Sequence, residues 1–288
     1  MSNWTILKLI EWTTEYFGKA GVPNPRLDAE LLLAHTLNKK RIDLYLCFDK
    51  EVDEKDLAIF KGSIQRRAKR EPLQYILGTQ DFCGVQIKVT PDVLIPRPET
   101  EILAETAINL CKAMTPPISV LDLCTGSGAI VAAMANRLPE ATFVGVDISE
   151  AALGVARENT AAWSGRIELL QGDLYAPLSA EGKALGPFDL ITANPPYISE
   201  SDMGSLQAEV RDHEPRVALV AGQGGLAIIE KILDDAPRFL KSGGAVVMEV
   251  GEEQAFQVKD MAGAKDFKSV EIVKDYSGVE RIVKIWIN

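Results

Sequence analysis

From residue 118 to residue 250 the chain alternates short apolar runs with helix-length stretches, and this rhythm constrains its fold more than any other feature. I-S-V-L-D-L (118–123), A-T-F-V-G-V-D (141–147), R-I-E-L-L-Q (166–171), F-D-L-I-T-A (188–193) and G-A-V-V-M-E-V (244–250) are strand-length. They are too continuously apolar for strands with one wet face. Helices are predicted over 128–138, 150–163 and 224–240. Strands alternating with helices make a parallel sheet covered on both faces. Two more strands are predicted at 268–274 and 280–287. Only D-Y-S-G-V separates them, so they run antiparallel to each other. The expectation is an α/β domain with a seven-stranded mixed sheet.

The first 80 residues have a different texture. Leu27, Leu31, Leu32, Ala34 and Leu37 recur at helical spacing after Pro25, and Asp53-Glu54-Lys55-Asp56 opens a helix through Ile59, Phe60, Ile64 and Arg67. A small helical bundle is expected over 1–80. Val85, Ile87 and Val89 then alternate with polar residues, which predicts a hairpin linker over 81–96. The α/β domain follows over 97–288, entered through the proline-braced loop L-I-P-R-P-E-T-E (94–101) and a helix at 100–113.

Charge and cysteine usage narrow the classes. The net charge is −10, and residues 1–90 carry 14 Lys+Arg against 12 Asp+Glu, so the acidic surplus lies in the remainder. That argues against a broad phosphate-binding face. Cys47, Cys83, Cys111 and Cys124 are scattered with no C-x-x-C pair, and there are two histidines, His35 and His213. Neither a structural zinc site nor a disulfide framework is expected. The thiols suit a reducing cytoplasm. No run of about 18 apolar residues predicts a membrane span, and the N-terminus lacks a signal-peptide pattern.

In an open α/β sheet, ligands bind beyond the carboxyl ends of the strands. Three segments fall there. L-D-L-C-T-G-S-G-A-I (121–130) links the first strand to its helix, and Gly126 and Gly128 allow a tight turn or close approach of a ligand. A dinucleotide fingerprint wants G-x-G-x-x-G, whereas Val131 holds the third glycine position, which counts against NAD. Asp147 ends the second strand, either to accept both hydroxyls of a ribose or to cap the next helix with Ser149. In Q-G-D-L (171–174), Asp173 and Leu174 either border an adenine or cap a loop. The third segment, N-P-P-Y (194–197), leaves the fourth strand through two prolines that fix two φ angles. It forms a rigid shelf bearing the Asn194 side chain.

These residues carry a resemblance. D-L-C-T-G-S-G is similar to the D-L-G-x-G-x-G loop of Rossmann-like class I methyltransferases, with Cys124 at the first glycine position. N-P-P-Y resembles the motif of methyltransferases that modify an NH₂ on an sp² carbon: adenine, cytosine, guanine or the glutamine amide. R-L-D-A-E-L-L-L-A-H (26–35), E-P-L-Q-Y-I-L-G (71–78), L-I-P-R-P-E-T-E (94–101) and E-P-R-V-A-L (214–219) resemble the PrmC/HemK family, which methylates glutamine in peptide chain release factors. The resemblance spans nearly the whole chain. It implies S-adenosylmethionine as methyl donor, S-adenosylhomocysteine as product, and N5-methylglutamine in a Gly-Gly-Gln loop of a release factor. It implies cofactor contacts from Asp122, Cys124, Thr125, Gly126, Ser127, Gly128, Asp147, Ile148, Asp173, Leu174 and Asn194. Substrate contacts are implied from Asn194, Pro195, Pro196, Tyr197, Arg97 and Thr100. A monomeric cytoplasmic enzyme without metal, membrane or nucleic-acid partner is expected.

The same residues allow a mechanism. An amide nitrogen is a poor nucleophile because its lone pair is delocalised, so catalysis rests on positioning. The Asn194 side-chain oxygen and the Pro195 carbonyl each accept one N–H of the target and aim its lone pair at the methyl group. Such alignment supplies roughly 7–11 kcal/mol of barrier reduction, and fixed acceptors favour the charge that develops on nitrogen. Tyr197 either packs on the planar amide or fills the core. Arg97 either pairs with Glu99 or braces its loop against the shelf, and Glu101 caps the helix beginning there. The helical domain is a folding appendage or the element that recognises the release factor. R-R-A-K-R (66–70) is a solvated helix face or meets an acidic partner. Two rival functions stand beside this one: methylation of a nucleic-acid base, flipped from its stack, and a non-catalytic module retaining the cofactor fold.

Overall fold

The computed structural model describes residues 4–179, 185–265 and 267–288. Residues 1–3 of the expected helical domain lie outside them. The chain divides into two compact units: Met1–Thr79 with Gln207–His213, and Gln80–Leu206 with Glu214–Asn288.

The first unit contains α1 (Ile6–Lys19), α2 (Pro25–Thr36), α3 (Arg41–Tyr45), α4 (Glu54–Ala68) and α5 (Leu73–Leu77). Thr5 caps α1 by accepting the Lys8 amide, and Asp53 caps α4 by accepting the Asp56 amide at 2.8 Å. Pro25 occupies the first turn of α2, where its missing N–H costs nothing. Ile10, Phe17, Leu32, Leu33, Leu44 and Phe60 form the core. Leu27, expected to face inward, is exposed, while Asp28 and Glu30 are buried. The reason is charge pairing. Asp28 accepts from Arg67 at 2.7 Å, and Glu30 accepts from Arg26 and the Tyr45 hydroxyl. Gln207–His213, which contains the short α9 (Ala208–His213), folds with this unit despite its distance in sequence. Glu209 accepts from Arg67 at 3.0 Å and from two Arg70 nitrogens at 2.7 and 2.6 Å. Arg66 pairs with Glu71. The R-R-A-K-R cluster divides: Arg67 is buried and Arg70 half-buried, both paired inside the unit, while Arg66 and Lys69 stay exposed.

The second unit begins with the hairpin β1 (Thr79–Phe82) and β2 (Val85–Lys88), in which Ile87 is buried while Gln86 and Lys88 are exposed. There follow α6 (Pro98–Lys112), β3 (Ile118–Leu123), α7 (Ala129–Arg137), β4 (Ala141–Asp147), α8 (Glu150–Thr160), β5 (Ile167–Gln171) and β6 (Phe188–Ala193). The unit closes with α10 (Ala227–Phe239), β7 (Leu240–Glu249), α11 (Gln254–Gly263), β8 (Ser269–Lys274) and β9 (Glu280–Trp286). The seven-stranded sheet has the order β5-β4-β3-β6-β7-β9-β8. β3 to β7 pair in parallel, and β9 runs antiparallel to both β7 and β8. Leu121, Leu123, Val144, Val146 and Ile191 on the sheet meet Ile229, Ile232 and Leu233 of α10 and Val258 of α11. Truncating any fully buried leucine or isoleucine in this row to alanine costs about 2–5 kcal/mol.

This topology positions the site. The chain winds outward from β3 through β4 to β5, then returns to β6 on the other side of β3. The strand order thus reverses between β3 and β6, where open α/β sheets hold ligands. Among the described residues no helix is long and apolar enough to cross a membrane.

Candidate active site

A cleft opens at the carboxyl ends of β3, β4, β5 and β6, lined among others by Thr125, Gly126, Ser127, Asp147, Ile148, Asp173, Leu174 and Asn194. Its first wall is the loop after β3. Cys124, Gly126 and Gly128 all take positive φ, at 57°, 54° and 74°. Cys124 thus stands in a conformation that glycine adopts freely and an L-residue adopts at a cost of about 1–2 kcal/mol. At Gly128 a Cβ would also lie 3.2 Å from Ala156 and Thr160 of α8. Beneath the loop sits the buried Asp122. Its oxygens accept from Thr125 at 2.6 Å and from Thr192 at 2.7 Å, which ties β3, its loop and β6 together. Burial pushes its carboxyl up to about 7 against the pull of these hydroxyls.

The second wall is the end of β4. Asp147 accepts from the Gly126 amide at 2.8 Å through one oxygen and from the Ser149 amide at 2.9 Å through the other. The helix cap itself is Ser149, which accepts from Ala152. The carboxylate also lines the cleft, where it can accept from a ligand hydroxyl. Burial raises the carboxyl, and the backbone amides of Ser149, Gly126 and Ile148 oppose that. Burial and the neighbouring carboxylates of Asp147, Asp122 and Asp173 push the Cys124 thiol well above its ordinary range, so it stays protonated and unreactive.

The third wall is the N-P-P-Y segment. Asn194 and Pro196 line the cleft; Pro195 is buried and is not among the lining residues. The segment is braced from behind. The Tyr197 carbonyl accepts from Gln254 at 3.1 Å, and the Gln254 side-chain oxygen accepts from the Gly251 amide at 2.8 Å. Ile198 exchanges backbone bonds with Leu219 and Ala221, both 3.0 Å. This pairing brings Val217, Ala218 and Val220 to the cleft wall.

The expected site residues therefore divide. Cys124, Thr125, Gly126, Ser127, Asp147, Ile148, Asp173, Leu174, Asn194, Pro196 and Thr100 line one cleft. Asp122 and Gly128 support its floor from within. Tyr197 faces away from the cleft and donates its hydroxyl to Glu249 at 3.2 Å. Arg97 pairs with Glu214, not with Glu99, and the other Glu214 oxygen accepts from the Ile95 amide at 3.3 Å. Glu101 accepts from the Cys83 amide of the hairpin turn at 3.0 Å; it does not cap its own helix. Glu214, Glu249 and Gln254 are new to the site. Glu249 had one visible signal, a charge inside an otherwise apolar strand. His35 and His213 belong to the first unit. No cluster of three metal-ligating side chains exists among the described residues.

A mixed, mostly parallel sheet with a glycine-containing first turn, a carboxylate ending the second strand and helices on both faces defines a class I methyltransferase domain. Residues 115–280 match the model of a methyltransferase domain, and residues 8–78 match that of the PrmC N-terminal domain. The release factor glutamine methyltransferase of Geobacter sulfurreducens is 43% identical, over 97% of this chain and 96% of its own. That of Rhodopirellula baltica is 40% identical, over 98% and 96%. The catalytic domain of hMettl16, solved with the MAT2A 3′UTR hairpin 6, shares the fold with a TM-score of 0.56 at 16% identity, covering 78% of this chain and 81% of that one. The chain belongs to the release factor glutamine methyltransferase family.

Proposed function

We propose that this protein transfers a methyl group from S-adenosylmethionine to the side-chain amide nitrogen of the glutamine in a release factor's Gly-Gly-Gln loop. One observation carries the reading: Asn194 of the N-P-P-Y shelf opens into the same cleft as the Gly126 turn and Asp147. Near-full-length identity to named release factor glutamine methyltransferases supports it.

The lining residues fit the methyl donor. Asp147 offers its carboxylate to ribose hydroxyls, Ile148 and Leu174 offer apolar surface for a base, and Asp173 stands beside them for its polar edge. Bound there, S-adenosylmethionine supplies a methyl group already activated on a sulfonium. The chain's own task is to place the nucleophile. Oδ1 of Asn194 and the Pro195 carbonyl accept the two amide hydrogens, and the prolines hold both acceptors still, so little ordering is left to do at binding. Partial localisation of the amide lone pair and stabilisation of the charge developing on nitrogen follow from the same two acceptors. Water takes the proton afterwards, so no histidine or thiol is required.

The helical unit serves release-factor recognition in this reading. Trp12 and Tyr16 stack with ring centroids 5.3 Å apart on α1, and both are more than a third exposed. Such half-buried aromatics are enriched in protein interfaces. All four cysteines are free thiols, which suits a reducing cytoplasm.

The test is label transfer. The protein is incubated with methyl-labelled S-adenosylmethionine and, separately, release factor, its Gly-Gly-Gln glutamine variant, DNA and RNA. Label on the unaltered release factor alone is expected. Label on nucleic acid alone contradicts the reading.

A further inference from the structure

Behind Asn194 lies a chain of hydrogen bonds whose direction follows from an ionised Glu249. Glu249 ends β7, and the parallel register Ala193↔Met248 sets it beside Asn194. It is 1% exposed, between the fully buried Met248 and Val250. Its Oε2 accepts from the Thr100 hydroxyl at 2.6 Å, and its Oε1 accepts from the Tyr197 hydroxyl at 3.2 Å. Thr100 Oγ1 accepts from Asn194 Nδ2 at 3.1 Å. A threonine hydroxyl has one hydrogen. Thr100 directs it to the carboxylate, so toward Asn194 it can only accept. An asparagine side chain can turn either its oxygen or its NH₂ to a neighbour, and here only the NH₂ satisfies Thr100. The oxygen is thereby held on the other side.

We propose that Glu249 is a positioning residue for methyl transfer, selecting through Thr100 the orientation of Asn194 that presents Oδ1 rather than Nδ2 to the target amide. The inference rests on the amide-methylation reading above. The target NH₂ is a pure donor, so the opposite orientation sets donor against donor and removes one of the two acceptors that hold it. A buried carboxylate is costly unless it is hydrogen-bonded, and both oxygens of Glu249 take hydroxyl donors that lead to the shelf. Tyr197, by its second bond to the same carboxylate, fixes Glu249 in turn. Its place in the motif is thus explained without contact to the substrate.

The test uses Thr100→Val, Thr100→Ser and Glu249→Gln in the full chain. Partners that orient a metal ligand contribute about 10–100-fold, and an effect of that order is expected for a partner that orients Asn194. Thr100→Val is expected to lower kcat on release factor by that amount, with KM and cofactor affinity within about threefold of wild type. Thr100→Ser restores kcat, because it keeps the hydroxyl. Glu249→Gln, whose NH₂ can donate to Thr100 and reverse the chain, lowers kcat about tenfold or more. A second readout needs no turnover: solvent exchange of the Asn194 side-chain NH₂, followed by NMR with labelled asparagine. Exchange is expected at least about tenfold faster in Thr100→Val than in wild type and Thr100→Ser. Equal exchange, or unchanged kcat in the valine variant, overturns the proposal. A wild-type protein inactive on release factor removes the amide-methylation reading, while the exchange measurement still decides what orients Asn194.

Discussion

The Gly126 amide donates to Asp147 across 2.8 Å, so the turn after β3 is tied to the end of β4. One carboxylate thus shapes the turn and faces the cleft. Asp147→Ala removes the tether together with the acceptors offered to a ribose. Hydrogen bonds to a charged group contribute about 1.5–3 kcal/mol. S-adenosylmethionine affinity, measured by calorimetric titration, should fall at least about tenfold.

Two positions in the same turn should respond oppositely to substitution. Gly128→Ala meets both a positive φ and close contacts with Ala156 and Thr160. A loss of about 1–3 kcal/mol is expected in denaturant unfolding, with weaker cofactor binding. Cys124→Gly relieves a positive φ that cysteine adopts unfavourably. Its cofactor affinity should stay within about threefold of wild type, since the relief is offset only by a little lost packing and by the extra freedom glycine gives the unfolded chain.

Glu209 gives the first unit a pH signature. Burial pushes its carboxyl up, but the bonds from Arg70 and Arg67 outweigh that and hold it at about 2, below its ordinary 4.5. A depressed folded-state pKa contributes stability that is fully present above 4.5 and is lost as the pH falls through about 2. Glu209→Gln should therefore destabilise the protein by about 3 kcal/mol at neutral pH. The gap between variant and wild type should close as the pH falls from 4.5 toward 2. A gap that stays constant over that range would assign the loss to packing instead.

Cys124 lines the cleft but should not react there. Burial and three nearby carboxylates keep its thiol protonated. Alkylation by iodoacetamide at pH 8, read by mass spectrometry, should label Cys124 far more slowly than a free thiol, and Cys124→Ala should keep its turnover.

The strands were legible in the sequence because a strand buried on both faces announces itself locally. Ile118–Leu123, Ala141–Asp147 and Phe188–Ala193 coincide with the apolar runs. The alternation at Val85, Ile87 and Val89 marked the hairpin for a different reason: one face is buried and Gln86 and Lys88 on the other are exposed. Helix α11 was not legible. Its buried residues Ala255, Val258 and Ala262 are small or medium-sized and leave little amphipathic contrast. Pairings that close over long sequence distances were also out of reach. Nothing local tells Arg67 that Glu209 will complete its charge, or Arg97 that Glu214 rather than Glu99 will meet it. In the site, the motifs located the cleft but not the residues behind it. Tyr197 belongs to the motif yet points to Glu249, a residue that local reading assigns to the strand core.

The most direct measurement is a structure of the protein with S-adenosylhomocysteine and a Gly-Gly-Gln peptide bound. The account predicts the glutamine amide nitrogen within about 2.7–3.2 Å of both Asn194 Oδ1 and the Pro195 carbonyl, facing the cofactor's sulfur. A glutamine seated elsewhere, or an Asn194 that turns its NH₂ to the substrate, would contradict it.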